Sequence, residues 1–287
     1  MTPRDWVPEL PPGRPLHLPG RGVTFVREVA GPPGAPVLVL LHGWTVTADL
    51  NWFGAYAPLG EQFRVIALDH RGHGRGIRTR RRFRLTDCAD DAVAVADALG
   101  IDRFIPVGYS MGGPIATLIW QRHRSRVEGV VLCATASNFG DTWMLRAQFA
   151  LFRPISWMAR AMPRRVGKPL FDRVIWQRTR DSGLMPWIID EIRSGDPRLV
   201  VEAGTALGQF NSGRWVGEID VPTSIVVMDH DSIVDTARQQ RMAALLPSAR
   251  VWHVDADHDY CVRHPRQFAN LLLEACSHVR DQREAAA

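Results

Sequence analysis

Apolar positions along the chain fall in short continuous runs rather than in alternating ones. Residues 36–42 (Pro-Val-Leu-Val-Leu-Leu-His), 63–69 (Phe-Arg-Val-Ile-Ala-Leu-Asp), 104–108, 127–134, 224–228 and 250–254 each have strand length. Such runs predict parallel strands buried on both faces. Helix-length segments follow them at 86–99, 111–124, 236–246 and 265–278. Thr86 is placed to cap the first, with Asp87 in its opening turn and Gly100 at its end. Upstream, residues 1–13 are proline-rich, and two extended runs around Gly20-Arg21-Gly22 predict a hairpin within 14–30. Strands alternating with helices predict an α/β fold, a mostly parallel sheet flanked by helices on both faces.

The alternation stops between Ser137 and Glu218. This stretch has no strand pattern and interleaves Trp143, Trp157, Trp176, Trp187 and Trp215 with Arg146, Arg153, Arg160, Arg164, Arg165 and Arg173. It reads as a helical cap inserted between two strands. The expected division is a core of 14–136 and 219–280 with a cap of 137–218. A length of 287 residues, long for one compact domain and short for two, agrees with that division.

One motif carries chemistry in a context that gives it meaning. Gly108-Tyr109-Ser110-Met111-Gly112 lies between an expected strand and an expected helix. Small residues at its ends let the backbone turn sharply and project a serine above the sheet. A serine nucleophile needs a base, and the base an orienting acid. His258, just past the last expected strand, is the candidate base. His253 inside that strand and His264 beside Pro265 read as structural, and His230 lies too close to the acid loop. The acid comes from the loop after 224–228. Asp231, in a D-x-I-V pattern, is favoured; Asp229 is the main rival and Asp235 a third choice. Asp255, Asp257 and Asp259 adjoin His258 in sequence and read as loop charges. Two backbone N–H groups must hold an oxyanion. They are expected from Met111 and from Trp44, in the His42-Gly43-Trp44-Thr45 loop after the first buried strand.

Composition changes this picture little. Hydrophobic residues make up 46% and charged residues 23%, enough apolar material for a large core. The net charge of +5 is modest, and Lys168 is the only lysine. Arg75, Arg78, Arg80, Arg81, Arg82 and Arg84 form a dense basic run. A solvated loop is the favoured reading, with docking to an acidic partner or weak contact with an anionic lipid surface as the other. No nucleic-acid motif accompanies the run, so no nucleic-acid partner is expected. Asp69-His70-Arg71-Gly72-His73-Gly74 reads as a structural turn, and its histidines lack metal-ligand spacing. Cys88, Cys133, Cys261 and Cys276 make no C-x-x-C pair and read as reduced thiols in a cytoplasmic protein. The N-terminus lacks the apolar core of a signal peptide, and no run reaches the ~18 residues that span a bilayer.

Together His42-Gly43-Trp44, Asp69–Gly74, the Ser110 motif, the Asp231 loop, His258, Pro265 and Phe268 resemble the cap-bearing branch of the α/β-hydrolase superfamily. The resemblance runs from about Arg14 to Ser277. Met228 and Asp257 depart from the pattern, where glycine is usual. The resemblance implies Ser110 as nucleophile, Asp231 as acid, His258 as base, and Trp44 and Met111 as oxyanion donors. It implies no metal and no cofactor. Haloalkane dehalogenases and epoxide hydrolases of this fold use an aspartate nucleophile, against which Ser110 argues. The expected function is hydrolysis of small-molecule carboxylic esters with hydrophobic acyl or alcohol groups, esterase- or lipase-like. The alternatives are a cofactor-free haloperoxidase or perhydrolase, a carbon–carbon bond hydrolase, and a non-catalytic binding protein on the same scaffold. The sequence leaves the oligomeric state open.

Overall fold

The computed structural model describes residues 7–140, 154–155, 157–158, 160, 164–179 and 186–286. Its eight strands are β1 (Gly13–Leu18), β2 (Gly22–Val29), β3 (Val37–Leu41), β4 (Arg64–Leu68), β5 (Ile105–Tyr109), β6 (Val130–Cys133), β7 (Thr223–Met228) and β8 (Arg250–Val254). They form one sheet in the order β1-β2-β4-β3-β5-β6-β7-β8. The expected hairpin is there: β1 and β2 pair antiparallel across Leu18 and Gly22, and β2 runs antiparallel to β4. From β4 to β8 all neighbours are parallel. Because β3 lies between β4 and β5, the chain reverses its direction of travel across the sheet there. Ligand sites of open α/β sheets form at the carboxyl ends of strands beside such a switch.

Burial on both faces explains the apolar runs of β3 to β7, but the 250–254 run departs from expectation: β8 is the edge strand and is exposed or half-buried throughout. Val39 and Leu41 of β3 join one apolar cluster, Leu38 and Leu40 the other, and all four are fully buried. The helices are α1 (Ala48–Trp52), α2 (Tyr56–Gly60), α3 (Leu85–Ala98), α4 (Gly112–Arg122), α5 (Arg164–Thr179), α6 (Pro186–Arg193), α7 (Pro197–Gln209), α8 (Thr236–Ala244), α9 (Tyr260–Arg263) and α10 (Pro265–Ala286). Helices α3, α4, α7 and α8 contribute to the first cluster, and α1, α2 and α10 to the second. All four cysteines are buried and unpaired. No helix among the described residues is long and apolar enough to cross a membrane.

One expected cap is corrected. Helix α3 starts at Leu85, Arg84 occupies the N-cap position, and no side chain bonds there, so Thr86 lies inside the first turn. Leu85 is buried in the first cluster, and that packing brings it into the helix ahead of the hydroxyl residue. Gly100, at φ +65°, does end the helix as expected.

Helices α5, α6 and α7 lie between β6 and β7, in the stretch without strand pattern. The two ends of this excursion meet. Asn138 and Asn211 form an antiparallel bridge, and the Ser212 N–H donates to the Ser137 carbonyl at 2.8 Å. Trp143, Arg146 and Arg153 lie outside the described residues, as do the side chains of Arg164, Arg165 and Trp176. Trp215 stacks on Trp120 of α4, and Trp187 meets Phe53 edge-on. Both are packing roles.

Candidate active site

Ser110 stands at the turn between β5 and α4 with φ +52°, a left-handed backbone that costs an L-residue roughly 1–2 kcal/mol. Neighbouring contacts hold it there. Its N–H donates to the Cys133 carbonyl at 2.9 Å, and its carbonyl accepts from the Gly113 N–H and the Thr135 hydroxyl. The flanking glycines are needed for space. A Cβ at Gly108 would strike the Gly112 carbonyl, and one at Gly112 would strike the Leu41 carbonyl of β3. The turn therefore leaves no room for a side chain at either flanking glycine.

His258 follows β8 and reaches back over the sheet edge. Its Nε2 lies 3.0 Å from Ser110 Oγ, and its Nδ1 lies 2.7 Å from Asp231 Oδ2. The Asp231 side chain is fully shielded from solvent. Its Oδ1 accepts from the N–H groups of Ile233 and Val234, while its Oδ2 also accepts from Gln239 Nε2 at 2.8 Å. A buried carboxylate so satisfied stays an acceptor. In the tautomer with Nδ1 protonated, His258 donates to Asp231 and turns its Nε2 lone pair towards Ser110. Tyr109 adds a main-chain tie, its hydroxyl donating to the His258 carbonyl at 2.7 Å.

Asp229 does not join this group. It bonds His253 Nδ1 at 2.8 Å, away from His258. His230 pairs with Asp255 on the surface. Asp257 accepts from the Ser232 N–H and hydroxyl and from the His258 N–H, so it fastens the acid loop to the base loop. His264 stacks against Tyr260 ahead of α10.

The His42–Thr45 loop runs beside the serine. A Cβ on Gly43 would lie 3.4 Å from Ser110 Cβ. The Gly43 N–H is held by Asn51 Oδ1 at 2.9 Å. The Trp44 indole N–H donates to the Val200 carbonyl of α7 at 2.7 Å, joining this loop to the helices between β6 and β7. Thr45 has φ +67°. Met111, the residue after the nucleophile candidate, is fully buried at the N-terminal end of α4.

Behind the loop three histidines pack together. The rings of His70 and His73 lie 4.3 and 5.4 Å from that of His42. His42 Nε2 accepts from the His70 N–H, and its Nδ1 pairs with the Gly43 carbonyl. Burial lowers the pKa of His42 to about 4 and that of His73 to about 3, and drives that of His70 well below the ordinary value. All three are neutral packing groups at pH 7.

Two features escaped the sequence pattern. Gln239 of α8 is buried, and its Oε1 accepts from the Met228 N–H while its Nε2 serves Asp231 and the Val234 carbonyl. Its neighbours Gln240 and Arg241 make it look like a surface residue, and only its place on the inward face of α8 could have marked it. The basic run, read as solvated, includes two structural arginines. Arg75 bridges the buried Asp49 and Asp69 and stacks on Phe25 at 3.6 Å. Arg78 donates to the carbonyls of His73, Gly74, Gly76 and Ser194.

Residues 36–162 match the model of the alpha/beta hydrolase fold family. A bifunctional esterase/perhydrolase of Acinetobacter calcoaceticus is 39% identical over 93 residues, 32% of this chain and 33% of that protein. Epoxide hydrolase B of Mycobacterium tuberculosis is 32% identical over 121 residues, 41% of this chain and 34% of that protein. The match thus spans about a third of each of these curated relatives. Over nearly the whole chain, an esterase from Exiguobacterium antarcticum superposes with a TM-score of 0.76 at 18% identity, covering 92% of this chain and 98% of that one. That likeness is one of fold. Sheet order, elbow geometry and family match agree: the chain has the α/β-hydrolase fold. Proteins similar to it include ones named as esterases.

Proposed function

We propose that this chain is a serine hydrolase that cleaves carboxylic esters through an acyl-enzyme on Ser110. The observation that carries the reading is the continuous relay from Ser110 Oγ through His258 to the buried Asp231, at 3.0 and 2.7 Å. His258 Nε2 takes the Ser110 proton as Oγ bonds to the acyl carbon, and the carbonyl electron pair moves onto oxygen. The backbone N–H groups of Met111 and Trp44 receive that oxyanion. The intermediate collapses, the ester C–O bond breaks, and the leaving alcohol takes the proton from His258. A water molecule then gives a proton to His258 and attacks the acyl carbon. Release of the acid returns the proton to Ser110. Asp231 keeps His258 in the tautomer this requires and stabilises its cation. No step calls for a metal or cofactor.

Residues 137–218 act as a cap over this site in the same reading. The Asn138–Asn211 bridge at their base and the Trp44–Val200 bond support that role. The apolar, tryptophan-rich composition of the cap favours substrates with a hydrophobic acyl or alcohol part. A second reading, perhydrolysis, is favoured by the relative named as a bifunctional esterase/perhydrolase. Hydrogen peroxide would replace water in the second half of the same cycle.

The test is a chain-length panel of p-nitrophenyl esters, with thioester and amide controls and a peroxide arm. Wild type is expected to turn over esters, with kcat falling about a millionfold in Ser110→Ala while the melting temperature holds. An activity close to wild type in that variant overturns the reading.

A further inference from the structure

A cavity lies away from the serine. It has a volume of about 1120 Å³ and sits between the arginine-rich loop and helices α5 and α7. None of Ser110, Met111, Asp231, His258 or Trp44 lines it. Its size is at the upper end for small-molecule pockets, which run to roughly 1,000 Å³.

Its wall is divided by chemistry. One part is cationic, with Arg80, Arg160 and Lys168 among five basic side chains. Among the described residues Asp196 is the only carboxylate in the wall, and it caps α7 by accepting from the N–H groups of Arg198 and Leu199. Arg160 is bound to Glu202 and Lys168 to Asp172, but Arg80 makes no ion pair among the described residues. The positive charge in the wall therefore exceeds the negative charge beside it. The other part is apolar and unusually open. Met158 is 64% exposed and Leu170 53% exposed, with Phe171 beside them. Large apolar side chains left in water on a cation-lined wall gain from any ligand that covers them while bringing a negative charge.

We propose that this pocket binds a single-chain anionic amphiphile, a carboxylate or phosphate head on an alkyl chain. Arg80, Arg160 and Lys168 receive the head, and Met158, Leu170 and Phe171 cover the chain. Neither half of the wall accounts for the ligand alone. A free inorganic anion leaves the apolar side chains wet, and a neutral alcohol leaves the excess positive charge of the wall, Arg80 above all, unmatched. The proposal does not depend on the hydrolytic reading, since the pocket shares no residue with the Ser110 site.

The experiment is isothermal titration calorimetry on the full chain, with monomeric decyl phosphate, decanoate, decanol and inorganic phosphate as separate ligands. Decyl phosphate and decanoate are expected to bind one to one, with decanol and inorganic phosphate each at least about tenfold weaker. The two anionic arms also show which head is preferred. Affinity for the anions falls with added salt, while that for decanol does not. The double variant Arg80→Gln/Lys168→Gln should weaken decyl phosphate about tenfold without changing decanol. Leu170→Asp, at an exposed position, should bring decyl phosphate down to the level of inorganic phosphate. Thermal melts check that each variant is folded. Absence of binding to wild type overturns the proposal. So does equal affinity for decyl phosphate and decanol, or anion binding unchanged in both folded variants.

Discussion

The loops at the carboxyl edge of the sheet and the helices between β6 and β7 follow opposite rules. At the sheet edge the polar groups around the serine are enclosed and spoken for. Asp231 is fully shielded and takes four hydrogen bonds, and the turn at Ser110 leaves no room for a side chain on either flanking glycine. Between β6 and β7 large apolar side chains stand in solvent, with Trp157 81% and Met158 64% exposed. The first region is over-determined, so small changes there should cost much chemistry. The second is loosely committed, so large changes there should cost little stability and act on what binds.

The sharpest way to break this comparison lies in the acid loop. Asp231→Asn is expected to lower kcat about ten-thousandfold, because an amide there stabilises the wrong tautomer of His258. Asp229→Asn should leave kcat/KM near wild type, since Asp229 serves the exposed His253. Steady-state hydrolysis of one ester by both variants decides it. The reverse order would move the acid to Asp229.

Acid should act next, through the histidines behind the His42–Thr45 loop. Their pKa values are depressed on folding, so the unfolded chain binds more protons than the folded one at mildly acidic pH. Stability is complete above the unfolded value of about 6.5 and is lost as pH falls towards the folded values, about 4 for His42 and about 3 for His73. The difference at His42 alone corresponds to about 3 kcal/mol. Burial also raises the Asp69 and Glu191 carboxyls, which opposes this trend, but two carboxylates act against three imidazoles. Urea midpoints should fall steadily from pH 7 to pH 4. A flat profile contradicts the burial of this cluster.

Gln239→Leu tests how far the bracing of the site extends. It leaves the Met228 N–H without its partner and removes one donor from Asp231. A stability loss of roughly 1–3 kcal/mol is expected, together with a shift in the pH profile of kcat that a purely structural loss would not give. Gln239→Glu should keep the acceptor for Met228 yet still disturb the profile. The smallest effect belongs to the other region. Trp157→Ser should change unfolding free energy by no more than about 0.5 kcal/mol, measured by urea titration.

The difference between the regions also sets what the sequence made legible. Strands β3 to β7 show as apolar runs because both faces are buried, and the pairing of β1 with β2 shows at Gly20 and Gly22. Helix α3 starts at Leu85 rather than behind Thr86 because core packing outweighed a local hydroxyl cap. The elbow is readable because Gly108 and Gly112 are forced by backbone crowding that any sequence must respect. Asp231 and Asp229 look alike in sequence. Their partners, His258 and His253, differ only through the path of the β8 loop. Gln239, Arg75 and Arg78 were not legible, because each satisfies groups distant in sequence. The stretch between β6 and β7 offered composition without pattern, and composition does not place a side chain.

The Tyr109 hydroxyl on the His258 carbonyl carries a last consequence. The residue next to the serine grips the main chain of the histidine, two points 149 positions apart in sequence. The gap between Ser110 and His258 is therefore gauged by the backbone as well as by the bond between their side chains. Rotation of the imidazole about its side-chain bonds leaves this anchor in place, so the ring keeps one fixed point of attachment beside Ser110. Tyr109 thus works as a caliper, and its hydroxyl sets the span.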